Sequence, residues 1–389
     1  MPKNIVFCAD GTWNNPDEDE NADHSADPTN VYKLFRFLDG APTPDTVGKE
    51  KEQEKELVAD GVTRQIAKYL HGVGDSSNPI MKLMGGAFGA GVISRIVRGY
   101  TFVSRNYEPG ANIFIVGFSR GAYTARALTG LIASQGLLAP QITQDKETAY
   151  ERGGEAWYRY RKAALSNLSF ADPGKSLAHL EEIVADLPAF FTKSSLKTQD
   201  LIPVDRISGV AVWDTVGAMG FPDYVGKGKR LDAFKFADTK LSNKVTQGFH
   251  AVALDERRND FTPTLWDPAP SVTQTLFPGA HADVGGSYPV TNNESGLSDG
   301  ALKWMIGQLM AAGVLFSDIE GDSIKPDPAG TAHKPWAHPP WDLPGISLGA
   351  RKFPKGMAEH PSIAARMAAG NIIADPGEVP GPYRPTNRP

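Results

Sequence analysis

Five residues constrain this chain most: Gly117-Phe118-Ser119-Arg120-Gly121. A strand-forming run, residues 112–116 (Asn-Ile-Phe-Ile-Val), apolar after its first residue, precedes them. A helix-forming run of small and apolar residues, 122–134, follows. A strand that turns into a helix over five residues needs a sharp, strained turn, and Gly117 and Gly121 are where side chains would collide with the neighbouring strand and helix. Such a turn lifts the Ser119 hydroxyl clear of a sheet. It also puts the Arg120 N–H at a helix N-terminus, where it can donate to an oxyanion. The bland alternative is an ordinary strand-to-helix turn with a buried serine.

The rest of the chain reads as the same kind of unit. Residues 4–9 form a short continuous apolar run ending in Asp10-Gly11-Thr12, as in a parallel sheet covered on both faces. A helix is expected from Val31 to Leu38, capped by Thr29 or Asn30, and another from Val92 to Tyr100 after the glycine-rich residues 85–91. Strands are expected at 69–74, running into a turn, and at 207–213 and 274–277. Helices are expected at 244–254 and at 301–312, the latter capped by Ser298 or Asp299. Residues 14–30 and 41–57 read as exposed polar excursions. Alternating strands and helices predict a three-layer α/β/α hydrolase fold with a mostly parallel central sheet. The catalytic domain is expected over 1–320. Residues 141–200, rich in Trp, Tyr, Arg and Lys, read as a helical insertion that could cap the site. Residues 321–389 read as a Pro-rich extension wrapping the surface.

Composition excludes some classes. Hydrophobic residues at 41% and charged residues at 22% describe a folded chain, not a disordered one. A net charge of −5 is not the basic footprint of a nucleic-acid binder. The single cysteine, Cys8, forbids an intramolecular disulfide and a multi-cysteine metal site. The histidines show no zinc-ligand spacing, so no metal or other cofactor is expected. Neither a signal peptide nor a bilayer-spanning stretch is legible, and a cytoplasmic protein is expected, with non-classical export leaving no such trace.

A serine hydroxyl needs a base, and the base needs a carboxylate that fixes its tautomer. In hydrolases of this architecture the chain order is Ser, then Asp or Glu, then His. Downstream of Ser119, Asp214 ends a strand and His281 sits in a Gly- and Asp-rich loop after another. Rival bases are His250, read inside a helix, His179 in the insertion, and His333, His338 and His360 in the tail. Rival acids are Asp205, Asp223 and Asp283, the last also readable as a brace for the His281 loop. A second oxyanion donor is expected from Gly11 or Thr12. Asp10 reads as a brace as readily as a direct participant, and Arg120 as a guide for an anionic substrate group or the partner of an acidic neighbour.

Five segments together resemble a known family: 8–14 (Cys-Ala-Asp-Gly-Thr-Trp-Asn), 117–126 (Gly-Phe-Ser-Arg-Gly-Ala-Tyr-Thr-Ala-Arg), 212–218 (Val-Trp-Asp-Thr-Val-Gly-Ala), 250–258 (His-Ala-Val-Ala-Leu-Asp-Glu-Arg-Arg) and 277–286 (Phe-Pro-Gly-Ala-His-Ala-Asp-Val-Gly-Gly). The chain is similar to the DUF2235 family, which includes the catalytic domain of Tle1-type phospholipase effectors of type VI secretion. The resemblance spans roughly residues 4–310. It implies Ser119 as nucleophile, Asp214 as acid and His281 as base, acting on acyl esters of glycerophospholipids. It also implies transient membrane-surface contact and, for an effector, a secretion-system or immunity partner. The toxin members tend to be longer, with membrane-associating regions not evident here. A soluble esterase, thioesterase or peptidase on the same scaffold, or a binding protein that kept the fold, are the rival readings.

Overall fold

A computed structural model describes residues 2–11, 27–46, 52–72, 87–166, 195–216, 239–317, 324–339, 341–342 and 346–389. Its strands are β1 (Asn4–Ala9), β2 (Ala41–Pro42), β3 (Glu52–Ala59), β4 (Val62–Leu70), β5 (Asn112–Phe118), β6 (Leu137–Leu138), β7 (Leu201–Ile202), β8 (Gly209–Trp213), β9 (Gly248–Ala253), β10 (Val272–Phe277) and β11 (Ala358–Glu359). Its helices are α1 (Asn30–Phe37), α2 (Ala87–Asn106), α3 (Arg120–Gln135), α4 (Pro140–Thr143), α5 (Lys146–Ser166), α6 (His281–Gly285), α7 (Gly296–Ala311) and α8 (Pro361–Ala369).

Nine strands form one sheet in the order β11-β10-β9-β8-β5-β1-β4-β3-β2. Among the described strands, every pair from β11 to β4 is parallel, and at the other edge the β4–β3 and β3–β2 pairs are antiparallel. A sheet buried on both faces needs strands apolar at every position, and β1 is one: all six of its residues are buried. Ile5, Phe7 and Ala9 face a core shared with α2, α3 and α5. Val6 and Cys8 face the opposite core, with Leu34 and Phe35 of α1 and Leu302, Met305 and Leu309 of α7. The expected three-layer α/β/α hydrolase architecture is therefore present.

The elements depart from expectation where local pattern and sheet position compete. Residues 248–253 are strand β9, not the expected helix, because β9 lies between β8 and β10 with all six residues buried. Its alternation of small and large residues suits a strand covered on both faces as well as a helix, and the sheet decides. The 41–57 excursion contains β2 and most of β3, whose charged residues belong to an antiparallel edge. Strand β4 runs from Val62 and ends at Leu70, so the strand expected from Tyr69 onward covers only its last two residues. Helix α7 starts at Gly296, so Ser298 and Asp299 lie in its first turn and its N-cap is Ser295. Thr29 does cap α1, its hydroxyl accepting from the Tyr32 N–H.

Within 141–200, residues 167–194, with His179, lie outside the described residues. The preceding helix α5 packs on α2 and α3, and Trp157 is buried in their shared core. Gly130 lets α5 approach α3, since a Cβ there would meet the Tyr160 hydroxyl at 2.2 Å. From residue 324 the chain returns to the sheet: β11 pairs with β10, and Ile363 of α8 packs on Val252, Leu254 and Leu276.

Candidate active site

Parallel sheets present their chemistry at the carboxyl ends of their strands. Here β1 delivers Asp10, β5 delivers Ser119, β8 delivers Asp214, and the turn after β10 delivers His281. Ser119 has φ 57° and ψ −121°, the left-handed, strained region in which a non-glycine residue is rare. The glycines around it have no alternative. A Cβ on Gly117 would lie 2.4 Å from the Gly121 carbonyl oxygen, and one on Gly121 would lie 2.1 Å from the Ala9 carbonyl oxygen. The turn is thus wedged between its own helix and the end of β1. The Ser119 N–H is tied across to the Trp213 carbonyl at 3.1 Å, next to Asp214.

Residues 119, 214 and 281 meet. Ser119 Oγ lies 2.8 Å from His281 Nε2, and His281 Nδ1 lies 2.5 Å from Asp214 Oδ2. With Nδ1–H donating to the carboxylate, Nε2 is left as the acceptor for the serine proton. All three side chains are buried. Burial lowers the His281 pKa below the ordinary imidazole range, partly offset by Asp214, so the ring is held as a free base. Burial alone would raise the Asp214 carboxyl. Arg351 and His281 outweigh it and hold the group well below the usual carboxylate range.

Arg351 was not legible as a site residue. It comes from the tail and grips Asp214 with two bonds, Nη1 to Oδ1 at 2.7 Å and Nη2 to Oδ2 at 2.9 Å. The Ala253 N–H adds a third bond to Oδ1, at 3.0 Å. The imidazole is also held by aromatic neighbours: Phe118 at 4.6 Å between ring centroids and Phe261, edge-on, at 5.0 Å. Gly285 makes the first contact feasible, since a Cβ there would lie 2.0 Å from the Phe118 ring. The Glu256 carboxylate accepts the His281 N–H at 3.2 Å and is itself paired with Arg258. The Arg258 guanidinium lies 3.7 Å from the Phe261 ring centroid and 4.7 Å from that of Trp341, a tail residue.

The rivals go elsewhere. His250 is buried on β9, accepts the Thr215 N–H at Nε2 (3.1 Å) and meets Gln274 Oε1 through Nδ1 (3.3 Å). Burial pushes its pKa down to about 3, so it is a neutral hydrogen-bonding residue. His338 pairs with Asp375, and His360 caps α8 against the Phe277 ring. Asp205 is exposed, and Asp223 lies outside the described residues. Asp283 accepts the Ala280 N–H at 2.8 Å and the His333 ring at 2.7 Å, which ties the His281 loop to the tail. Asp10 accepts from Thr29, Tyr69 and the Gly11 N–H, joining β1, α1 and β4. The Gly11 N–H therefore points at Asp10 Oδ1, 2.7 Å away. Thr12 lies outside the described residues. Arg120 opens α3, so its N–H stands at the positive end of that helix.

The sequence profile described as T6SS, Phospholipase effector Tle1-like, catalytic domain matches residues 3–308. The chain belongs to this Tle1-like family. An uncharacterized protein of Saccharomyces cerevisiae is 25% identical over 271 residues, 69% of this chain but 33% of its own length. The chain thus spans about a third of that relative. Among solved structures, a Tle1 effector bound to the VgrG spike of the type 6 secretion system is similar at TM-score 0.45 and 14% identity, over 84% of this chain and 76% of that one. An uncharacterized protein from Pseudomonas aeruginosa is similar at TM-score 0.44 and 18% identity, over 82% and 47%. No helix among the described residues of this Tle1-like chain is long and apolar enough to cross a membrane.

Proposed function

We propose that this Tle1-like chain is a serine hydrolase that cleaves acyl esters of glycerophospholipids through an acyl-enzyme. The observation that carries the reading is the continuous relay from Ser119 Oγ to His281 to Asp214, at 2.8 and 2.5 Å, on a strained strand-to-helix turn. His281 Nε2 takes the Ser119 proton as Oγ attacks the acyl carbonyl carbon. The tetrahedral intermediate collapses, the bond to the alcohol oxygen breaks, and His281 returns the proton to the leaving lysolipid. Water repeats the sequence to free the acid. Asp214 holds the Nδ1–H tautomer and stabilises the imidazolium.

The Arg120 N–H is the first oxyanion donor. A contribution from Gly11 requires its N–H to turn away from Asp10, so Thr12 is the favoured second donor. The bilayer surface is the expected site of action, with transient contact there. Deployment as an effector would add a secretion-system carrier and an immunity protein as partners.

Labelling with a fluorophosphonate probe tests the nucleophile, and hydrolysis of phosphatidylcholine vesicles against p-nitrophenyl butyrate tests the substrate class. Wild type should be labelled and Ser119→Ala should not. A labelled Ser119→Ala protein would remove Ser119 from the mechanism. Cleavage of the butyrate ester with none of the phospholipid would replace the phospholipase reading by a general esterase.

A further inference from the structure

We infer that Arg351 is a positioning residue of the catalytic relay, so that the segment beyond residue 308 completes the active site of the family domain. The inference rests on the proposed Ser119–His281–Asp214 relay. Three observations carry it. Arg351 is buried and makes a two-pronged ion pair with the same carboxylate that meets His281. Its guanidinium also donates to the carbonyls of Ala253, at 2.7 Å, and Phe261. It therefore links the end of β9 to the turn that sets Phe261 against the imidazole. The matched family region ends at residue 308, so this anchor comes from outside it.

The chemistry follows from sharing one carboxylate between two cations. Asp214 must stay ionised in a buried site, and the Arg351 charge secures that. The same charge tempers the pull of Asp214 on the imidazolium, which keeps His281 a moderate base. Other charges act on the pair: Glu256 and Arg258 from the loop after β9 lie beside His281, whereas the buried His250 ring is neutral and adds none. None of these replaces the two-pronged contact. Removing the Arg351 charge leaves the whole of the Asp214 charge facing His281, so the ring should bind its proton more tightly.

The test uses the full chain with labelled histidine. His281 is titrated by NMR from about pH 5 to 9, assigned by difference with His281→Gln. Butyrate ester hydrolysis and fluorophosphonate labelling are followed in parallel. Arg351→Gln removes the charge but keeps an amide donor, and Arg351→Lys keeps the charge. The Gln variant should raise the His281 midpoint by about one pH unit and lower kcat at least about tenfold, with little change in KM. Lys should restore most of both. A folded Gln variant with the wild-type midpoint and kcat overturns the inference, as do equal losses in Gln and Lys. If Gln fails to fold, Lys decides: a wild-type midpoint with most of the activity supports the charge, and a folded but inactive Lys variant overturns it. Wild type that resists the fluorophosphonate would instead sink the hydrolase reading, while the titration still decides Arg351.

Discussion

Single side chains separate chemistry from support at this site. Ser119→Ala should lose at least about a thousandfold in turnover, with a melting temperature within about 3 °C of wild type, since only a hydroxyl is lost. His281→Ala should be equally inactive. His250→Ala should keep fluorophosphonate reactivity but lose about 1–3 kcal/mol of stability, because the buried Thr215 N–H is left without its acceptor. A stable but unreactive His250→Ala protein would overturn the choice of base. Because burial depresses the His281 pKa, the free base should persist below the ordinary imidazole value of about 6.5. Wild-type kcat/KM should thus rise through the acid range and be flat by neutrality. A midpoint at or above pH 7 would contradict this account of the site.

Elements explain why the turn at Ser119 leaves so little room for added side chains. The turn at Ser119 works only because β1, β5 and α3 converge without side chains between them. Gly121→Ala would drive a methyl group into the Ala9 and Asp10 carbonyls. It should cost more than about 3 kcal/mol and slow labelling, seen together in a melting curve and a rate. Gly307 is the control: it lies in α7, and a Cβ there meets nothing within 4 Å. Gly307→Ala should raise stability by about 0.5–1 kcal/mol and leave activity unchanged. If both substitutions behaved alike, the packing account of the turn would be wrong.

At the scale of the whole molecule, the last residues are bound into the catalytic end of the sheet. His333 joins them to the His281 loop through Asp283, and Glu294 meets its other nitrogen at 3.2 Å. Burial lowers the His333 pKa, but Asp283 and Glu294 outweigh burial and raise it above the ordinary value. A raised folded-state pKa means stabilisation that is complete below about pH 6.5 and is lost as pH rises through the folded value. Limited proteolysis of the tail should therefore quicken between about pH 6 and 9, and His333→Gln should remove that dependence. Equal pH dependence in the two proteins would assign the effect to other groups.

The strand–turn–helix of residues 112–134 was legible in sequence because a turn between a strand and a helix is a local problem. Neighbouring residues must solve it, and only glycines fit around Ser119. The order of Ser119, Asp214 and His281 was legible for a related reason: each ends or follows a strand, and parallel strands share one chemical end. Strand β9 was not, because residues that suit a buried helix also suit a buried strand, and only the place between β8 and β10 selects one. The Gly11 N–H was offered to an oxyanion, yet it meets the carboxylate of its own neighbour. Arg351 lies 137 residues from Asp214, in a stretch without periodicity. Nothing local requires an arginine there. A buried carboxylate demands a cation, but which one answers depends on the path of the tail back across the sheet. The sequence by itself determined the strained turn at Ser119 and the shared strand end at which Ser119, Asp214 and His281 meet, through backbone sterics and strand direction. Tertiary structure alone decided what holds the Asp214 carboxylate, because charges far apart in the chain pair only where packing brings them together.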